Sequence, residues 1–136
     1  MVDSMLMNNF TSYQASKDLL KDRVILITGA GQGMGRVAAL TYAAHGATVI
    51  LHGRKVEKLE SVYDEIEAAG GAQAAIFPLD LEKAGDQDFA ALAQAIKLQL
   101  GRLDGILHNA ALVFGLTPLA NQTLEQWLTM LRVNLA

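Results

Sequence analysis

Apolar residues along this chain follow two different periods. Short unbroken runs, Val24-Ile25-Leu26-Ile27 and Ala47-Thr48-Val49-Ile50-Leu51, alternate with longer stretches in which apolar residues recur three and four positions apart. An unbroken run of that length reads as a strand buried on both faces, and the longer stretches read as helices with one covered face. After a polar arm over residues 1–22, the pattern predicts a strand over about 23–28 and a helix over about 33–45 closed by Gly46. A strand over about 48–52 follows, then a helix over about 56–69 with Val56, Leu59, Val62 and Ile66 on one stripe and Gly70-Gly71 ending it. A third strand over about 73–79 leads to a helix over about 86–100 carrying Phe89, Leu92, Ala93, Ile96 and Leu100, and a fourth strand over about 103–108. Thr123 with Gln126 forms a capping box for a last helix, whose stripe of Leu124, Trp127, Leu128, Leu131 and Leu135 is still running at residue 136.

This alternation predicts an α/β fold, a Rossmann-like doubly wound parallel sheet. Right-handed crossovers give the strand order 3-2-1-4 and leave the fourth strand as an unpaired apolar edge, so only the N-terminal half of such a sheet is expected here. The domain reading is an arm over 1–22 and a nucleotide-binding unit over 23–136.

Composition narrows the picture. The 136 residues suffice for one domain, and a hydrophobic fraction of 51% with 18% charged residues suits a sheet covered on both faces. A net charge of -3 without a Lys/Arg cluster argues against a nucleic-acid partner. No apolar run approaches the ~18 residues of a membrane helix, so no membrane partner is expected. The chain has no cysteine, which excludes disulfides, thiolate metal sites and a cysteine nucleophile and suits a cytoplasmic location. The first ten residues lack the basic and apolar regions of a secretory signal, and Met5 or Met7 offers an alternative start.

Between the first strand and first helix lies Thr-Gly-Ala-Gly-Gln-Gly-Met-Gly, residues 28–35. Glycines there let the backbone turn tightly and approach a pyrophosphate, whose charge is favoured by the free N–H groups at the start of the following helix. A lone G-x-G-x-x-G is weak, but its place between a strand and a helix strengthens it. Thr28, Gly29, Gly31, Gln32, Gly33, Met34 and Gly35 are therefore candidate dinucleotide-binding residues.

Taken with Asp80-Leu81, His108-Asn109-Ala110-Ala111 and Val133-Asn134, this segment resembles, in order and spacing, the N-terminal half of the short-chain dehydrogenase/reductase family. The resemblance implies that the glycine segment holds the pyrophosphate of NAD(P), that Asp80 and Leu81 contact adenine, and that Asn109, Ala110 and Ala111 line the cofactor groove. Ala111 departs from the family's usual glycine.

An NAD-type site carries an acid at the end of the second strand to receive the ribose hydroxyls. This chain has His52-Gly53-Arg54-Lys55 instead. Arg54 offers a planar fork suited to a 2'-phosphate and Gly53 leaves space for it, so NADP(H) is favoured over NAD(H), as the resemblance also implies. His108 is read as a packing or hydrogen-bonding residue, His45 as a complement to the end of the first helix, and His52 as a flank of the ribose pocket. No acidic cluster lies near these histidines, and no metal site is expected.

The family interconverts a carbonyl and an alcohol by hydride transfer, with a tyrosine moving the proton, a lysine four residues on lowering its pKa, and a serine holding the substrate oxygen. Asn134 matches the family's catalytic asparagine, whereas the serine and the Tyr-x-x-x-Lys pair are expected beyond residue 136, together with whatever selects the small carbonyl or alcohol substrate. Tyr13-Gln14-Ala15-Ser16-Lys17 has the literal spacing but precedes the first strand, so it is read as a decoy within an arm similar to that of one bacterial branch of the family. The competing reading is a non-catalytic nucleotide-binding or subunit-pairing module. The resemblance places the last helix at a subunit interface, which leaves a homo-oligomer open.

Overall fold

The computed structural model describes residues 12–135; the alternative starts at Met5 and Met7 and the first ten residues, read above as lacking a secretory signal, lie outside them. Four parallel strands, β1 (Val24–Thr28), β2 (Thr48–Gly53), β3 (Ala75–Pro78) and β4 (Gly105–Leu107), form one sheet in the order β3-β2-β1-β4. Helices α1 (Gly33–Ala44), α2 (Val56–Ala68) and α3 (Asp86–Gln99) connect them, and α4 (Leu124–Asn134) follows a short 3-10 turn at Leu119–Asn121. This is the Rossmann-like arrangement and strand order that the alternating pattern predicts.

Because successive strand residues point to opposite faces, β1 and β2 feed two separate cores. Ile27, Val49 and Leu51 pack with Ala39 and Ala43 of α1 and Leu59, Val62 and Ile66 of α2. Val24, Leu26 and Ile50 pack on the other face with Leu92 and Ile96 of α3. Alanine at positions 39 and 43 lets α1 lie close to the sheet, and the Arg36 guanidinium ties α1 to α2 through both carboxylate oxygens of Glu65.

Several helix stripes are covered less than their spacing suggests. Val56 at the start of α2 is exposed, and so are Phe89 and Ala93 of α3, whose contact with the sheet is made through Leu92 and Ile96. Helix α4 opens with the expected box, in which Thr123 Oγ1 accepts from the Gln126 N–H at 3.2 Å and Gln126 Oε1 from the Thr123 N–H at 2.9 Å. Its apolar stripe is nonetheless uncovered, and it contains no buried residue. Helical geometry ends at Asn134 rather than running on, although the Leu135 N–H still reaches Leu131 O at 3.0 Å.

The edge strand β4 is shorter than the apolar run around it, for two local reasons. At its start the Asp104 carboxylate replaces a ladder bond, accepting from the Val24 N–H at 2.8 Å. At its end the Asn109 N–H turns back to Leu107 O at 3.0 Å and takes the chain out of the ladder. The described part of the arm packs at the opposite end of the sheet, where Leu20 N–H donates to His45 O at 2.9 Å and His45 Nδ1 lies 2.7 Å from Ser16 O. His45 therefore anchors the arm, a role more specific than a complement to the helix end. Gly46, at φ +95°, turns the chain there, and a side chain on it would meet the Lys21 backbone at 3.1 Å.

Candidate functional site

The carboxyl ends of β1, β2 and β4 converge on a cavity of about 390 Å³. Its floor is set by the glycine turn, which is locked to the end of β4 by a compact set of hydrogen bonds. Thr28 Oγ1 accepts from the Asn109 N–H at 3.0 Å and the Ala110 N–H at 2.9 Å, and donates to Leu107 O at 3.3 Å. In return Asn109 Nδ2 donates to Thr28 O at 3.1 Å and to Gly29 O at 3.3 Å.

Glycine is required at two positions of this turn for different reasons. At Gly35 a Cβ would fall 2.1 Å from Gly29 O and 2.6 Å from Asn109 Nδ2, so no side chain fits. Gly33 has φ +55°, with no atom within 4 Å of where its Cβ would sit, so its backbone faces open space. Helix α1 then starts at Gly33 with no side-chain cap from Gln32 and no acid in its first turn. Such an end leaves its first N–H groups available to an anion.

Gly29, Gly31, Gln32, Gly33, Met34, Arg54, Asp80, Leu81, Asn109, Ala110 and Ala111 all line the cavity. Thr28 and Gly35 lie behind the lining, as the bonds and contacts above require. Asn134 does not line it either: its amide accepts from the Leu112 N–H at 2.7 Å and donates to Leu112 O at 2.8 Å, holding α4 to the loop after β4. Leu112 and Val133, on either side of that contact, do reach the cavity. Ala111 needs no glycine conformation, since Asp22 is the one non-glycine with positive φ among the described residues.

His52, Lys55 and Lys58 also line the cavity, and the sequence had offered only a flanking role for His52 and none for the lysines. His52 is 2% exposed, and neither ring nitrogen has a hydrogen-bond partner. Burial holds its pKa below the ordinary 6.5. The signal for Lys58 was its place three residues after Lys55, one helical turn on and toward the same side. His108 departs from the packing role: with β4 at the sheet edge and nothing lying over it, the residue is exposed. The Tyr13–Lys17 stretch is not helical, and it sits with His45 at the far end of the sheet from the cavity. Among the described residues no group of three or more His, Asp or Glu could hold a metal, and no helix is long and apolar enough to cross a membrane.

The family model for short chain dehydrogenases matches residues 23–136. The chain belongs to the short-chain dehydrogenase family. Within it, the uncharacterized oxidoreductase YciK of Escherichia coli K12 is 47% identical over 122 residues, covering 90% of this chain and 48% of that one. A crystal structure of YciK from E. coli superposes with a TM-score of 0.86 at 46% identity, over 91% of this chain and 51% of that chain. A protein assigned as a short chain dehydrogenase from E. coli CFT073, solved in complex with NADPH, gives a TM-score of 0.85 at 46% identity over 89% of this chain and 50% of that one. The chain thus spans about half the length of the relatives it matches.

Proposed function

We propose that residues 23–136 are the NADP(H)-binding portion of a short-chain oxidoreductase that interconverts a carbonyl and an alcohol. The observation that carries the reading is the end of β2. There Gly53 and Arg54 line the same cavity as the glycine turn, and the strand ends in a guanidinium where a carboxylate would select NAD. The residues present fit a dinucleotide: the uncapped start of α1 and the open side of Gly33 suit a pyrophosphate, and Asp80 and Leu81 close the adenine end of the groove. Asn109, Ala110 and Ala111 extend the groove toward the nicotinamide, and Asn134 positions the backbone of Leu112 beside them. The bound nicotinamide would supply or accept the hydride. The NADPH complex of the E. coli CFT073 relative supports the cofactor choice.

In this reading the family's serine and Tyr-x-x-x-Lys pair belong to the remainder of a longer protein, and the present residues bind cofactor without turning over a substrate. Calorimetric titration of the 136-residue chain with NADPH and NADH tests it. NADPH is expected to bind more tightly, and Arg54→Asp to weaken NADPH far more than NADH by setting a carboxylate against the 2'-phosphate. Equal loss of both nucleotides would overturn the NADP assignment, and binding of neither by the unaltered chain would overturn the nucleotide reading.

A further inference from the structure

The glycine turn and the first turn of α2 touch at one point. A Cβ built on Gly31 would lie 2.9 Å from the Cβ of Lys58, so the absence of a side chain at 31 is what admits the Lys58 stem. The other end of Lys58 is held as well, because its ammonium donates to Oε1 of Gln32, the next residue of the turn. Root and head of this exposed lysine are therefore both fixed against the glycine turn. A free surface lysine has neither restraint.

Charge is distributed to match. Arg23, Arg36 and Arg102 each pair with a carboxylate away from the cavity, whereas Arg54, Lys55 and Lys58 line it without an ion pair among the described residues. An ammonium that spends one of its donors on Gln32 keeps two for a ligand. Asp80 and Glu82, the carboxylates of the cavity wall, follow β3, and neither forms an ion pair with these three cations among the described residues.

Resting on the NADP reading above, we infer that Lys58, fixed by Gly31 and Gln32, is a second cation for the 2'-phosphate, so that discrimination against NADH is shared between Arg54 and Lys58. Arg54 supplies a planar fork at the end of β2, and Lys58 supplies a point charge from one turn into α2. A dianionic phosphate held between two cations from different directions is selected more sharply than by one.

The experiment is a pair of calorimetric titrations, NADPH and NADH, on the full chain, Lys58→Met, Arg54→Ala and the double variant. Lys58→Met is expected to weaken NADPH about tenfold, the equivalent of one charge-assisted hydrogen bond, while changing NADH less than about twofold. The NADPH preference that survives in Arg54→Ala should disappear in the double variant, and Lys58→Arg should restore most of the loss. Thermal melting of each variant, followed together with Lys58→Gln as a second neutral side chain, separates a binding loss from a folding loss. If the unaltered chain prefers NADPH and Lys58→Met keeps that preference, or loses both nucleotides equally, the role of Lys58 is overturned while the NADP reading stands. If the unaltered chain has no NADPH preference, the NADP reading itself fails.

Discussion

The Thr28 hydroxyl accepts hydrogen bonds from the main-chain N–H of Asn109 at 3.0 Å and of its neighbour Ala110 at 2.9 Å, and Asn109 answers through its side chain to Thr28 O at 3.1 Å. One oxygen thus fixes the end of β4 against the glycine turn. Thr28→Val keeps the shape but leaves the Ala110 N–H without this acceptor and the Asn109 N–H with Leu107 O alone. It should cost about 1–3 kcal/mol in a urea unfolding titration, while Thr28→Ser should stay close to the unaltered chain. A valine variant of undiminished stability would show that these bonds do not hold β4 in place.

Gly33 and Gly35 should fail differently when each becomes alanine. At Gly35 the new methyl would fall 2.1 Å from Gly29 O, so the backbone must shift, and a loss of about 3 kcal/mol of stability is expected. At Gly33 the methyl meets nothing within 4 Å and costs about 1–2 kcal/mol for the left-handed backbone alone. Because that methyl enters the open side of the turn, Gly33→Ala should fold yet lose NADPH binding. Comparing melting temperature with nucleotide affinity for the two variants checks the distinction, and equal effects on both measures would refute it.

Asp104 joins β4 to β1 by accepting from the Val24 N–H and from Arg102 and Arg23. The Arg102 hydrogen bond, followed by that of the Val24 N–H, holds the Asp104 carboxyl well below its usual 3.8. A depressed carboxylate stabilises the fold above its unfolded value and loses that contribution as the pH falls below it. Asp104→Asn should lower stability at neutral pH and flatten the acid limb below about pH 4. An unchanged limb in acid titrations followed by circular dichroism would assign that sensitivity to other carboxylates.

His52 acts in a higher pH range. Its folded pKa lies below 6.5, so on acidification the unfolded chain takes up a proton that the folded chain refuses. Stability is therefore unaffected by this group above that value and declines as the pH falls below it. His52→Leu removes the declining segment and also removes two buried nitrogens without partners, so it should gain about 1–3 kcal/mol at neutral pH. Melting temperatures of both proteins across this pH range check the prediction, and parallel curves would count against it.

Much of this architecture is local information. The runs at Val24–Thr28 and Thr48–Gly53, the glycine turn between strand and helix, and the Thr123–Gln126 box each act over a few residues, so period and spacing suffice to place the elements. Right-handed crossovers then leave a single strand order. Much of the cavity lining was legible too, the glycine turn and Arg54 from their own chemistry, and Asp80, Leu81, Asn109, Ala110 and Ala111 from the family resemblance.

What the sequence by itself determined was the order and type of the elements and the turn that they present to one end of the sheet. Tertiary structure alone decided which side chains those elements bring together: His52 buried without a partner, Asp104 clasping Val24 across 80 positions, Lys58 threaded past Gly31 onto Gln32, and the stripe of α4 left uncovered. The physical reason is one of range. Periodicity reports which face of an element is apolar, but burial, ion pairing and pKa depend on what lies opposite that face, and the opposing residues come from distant parts of the chain.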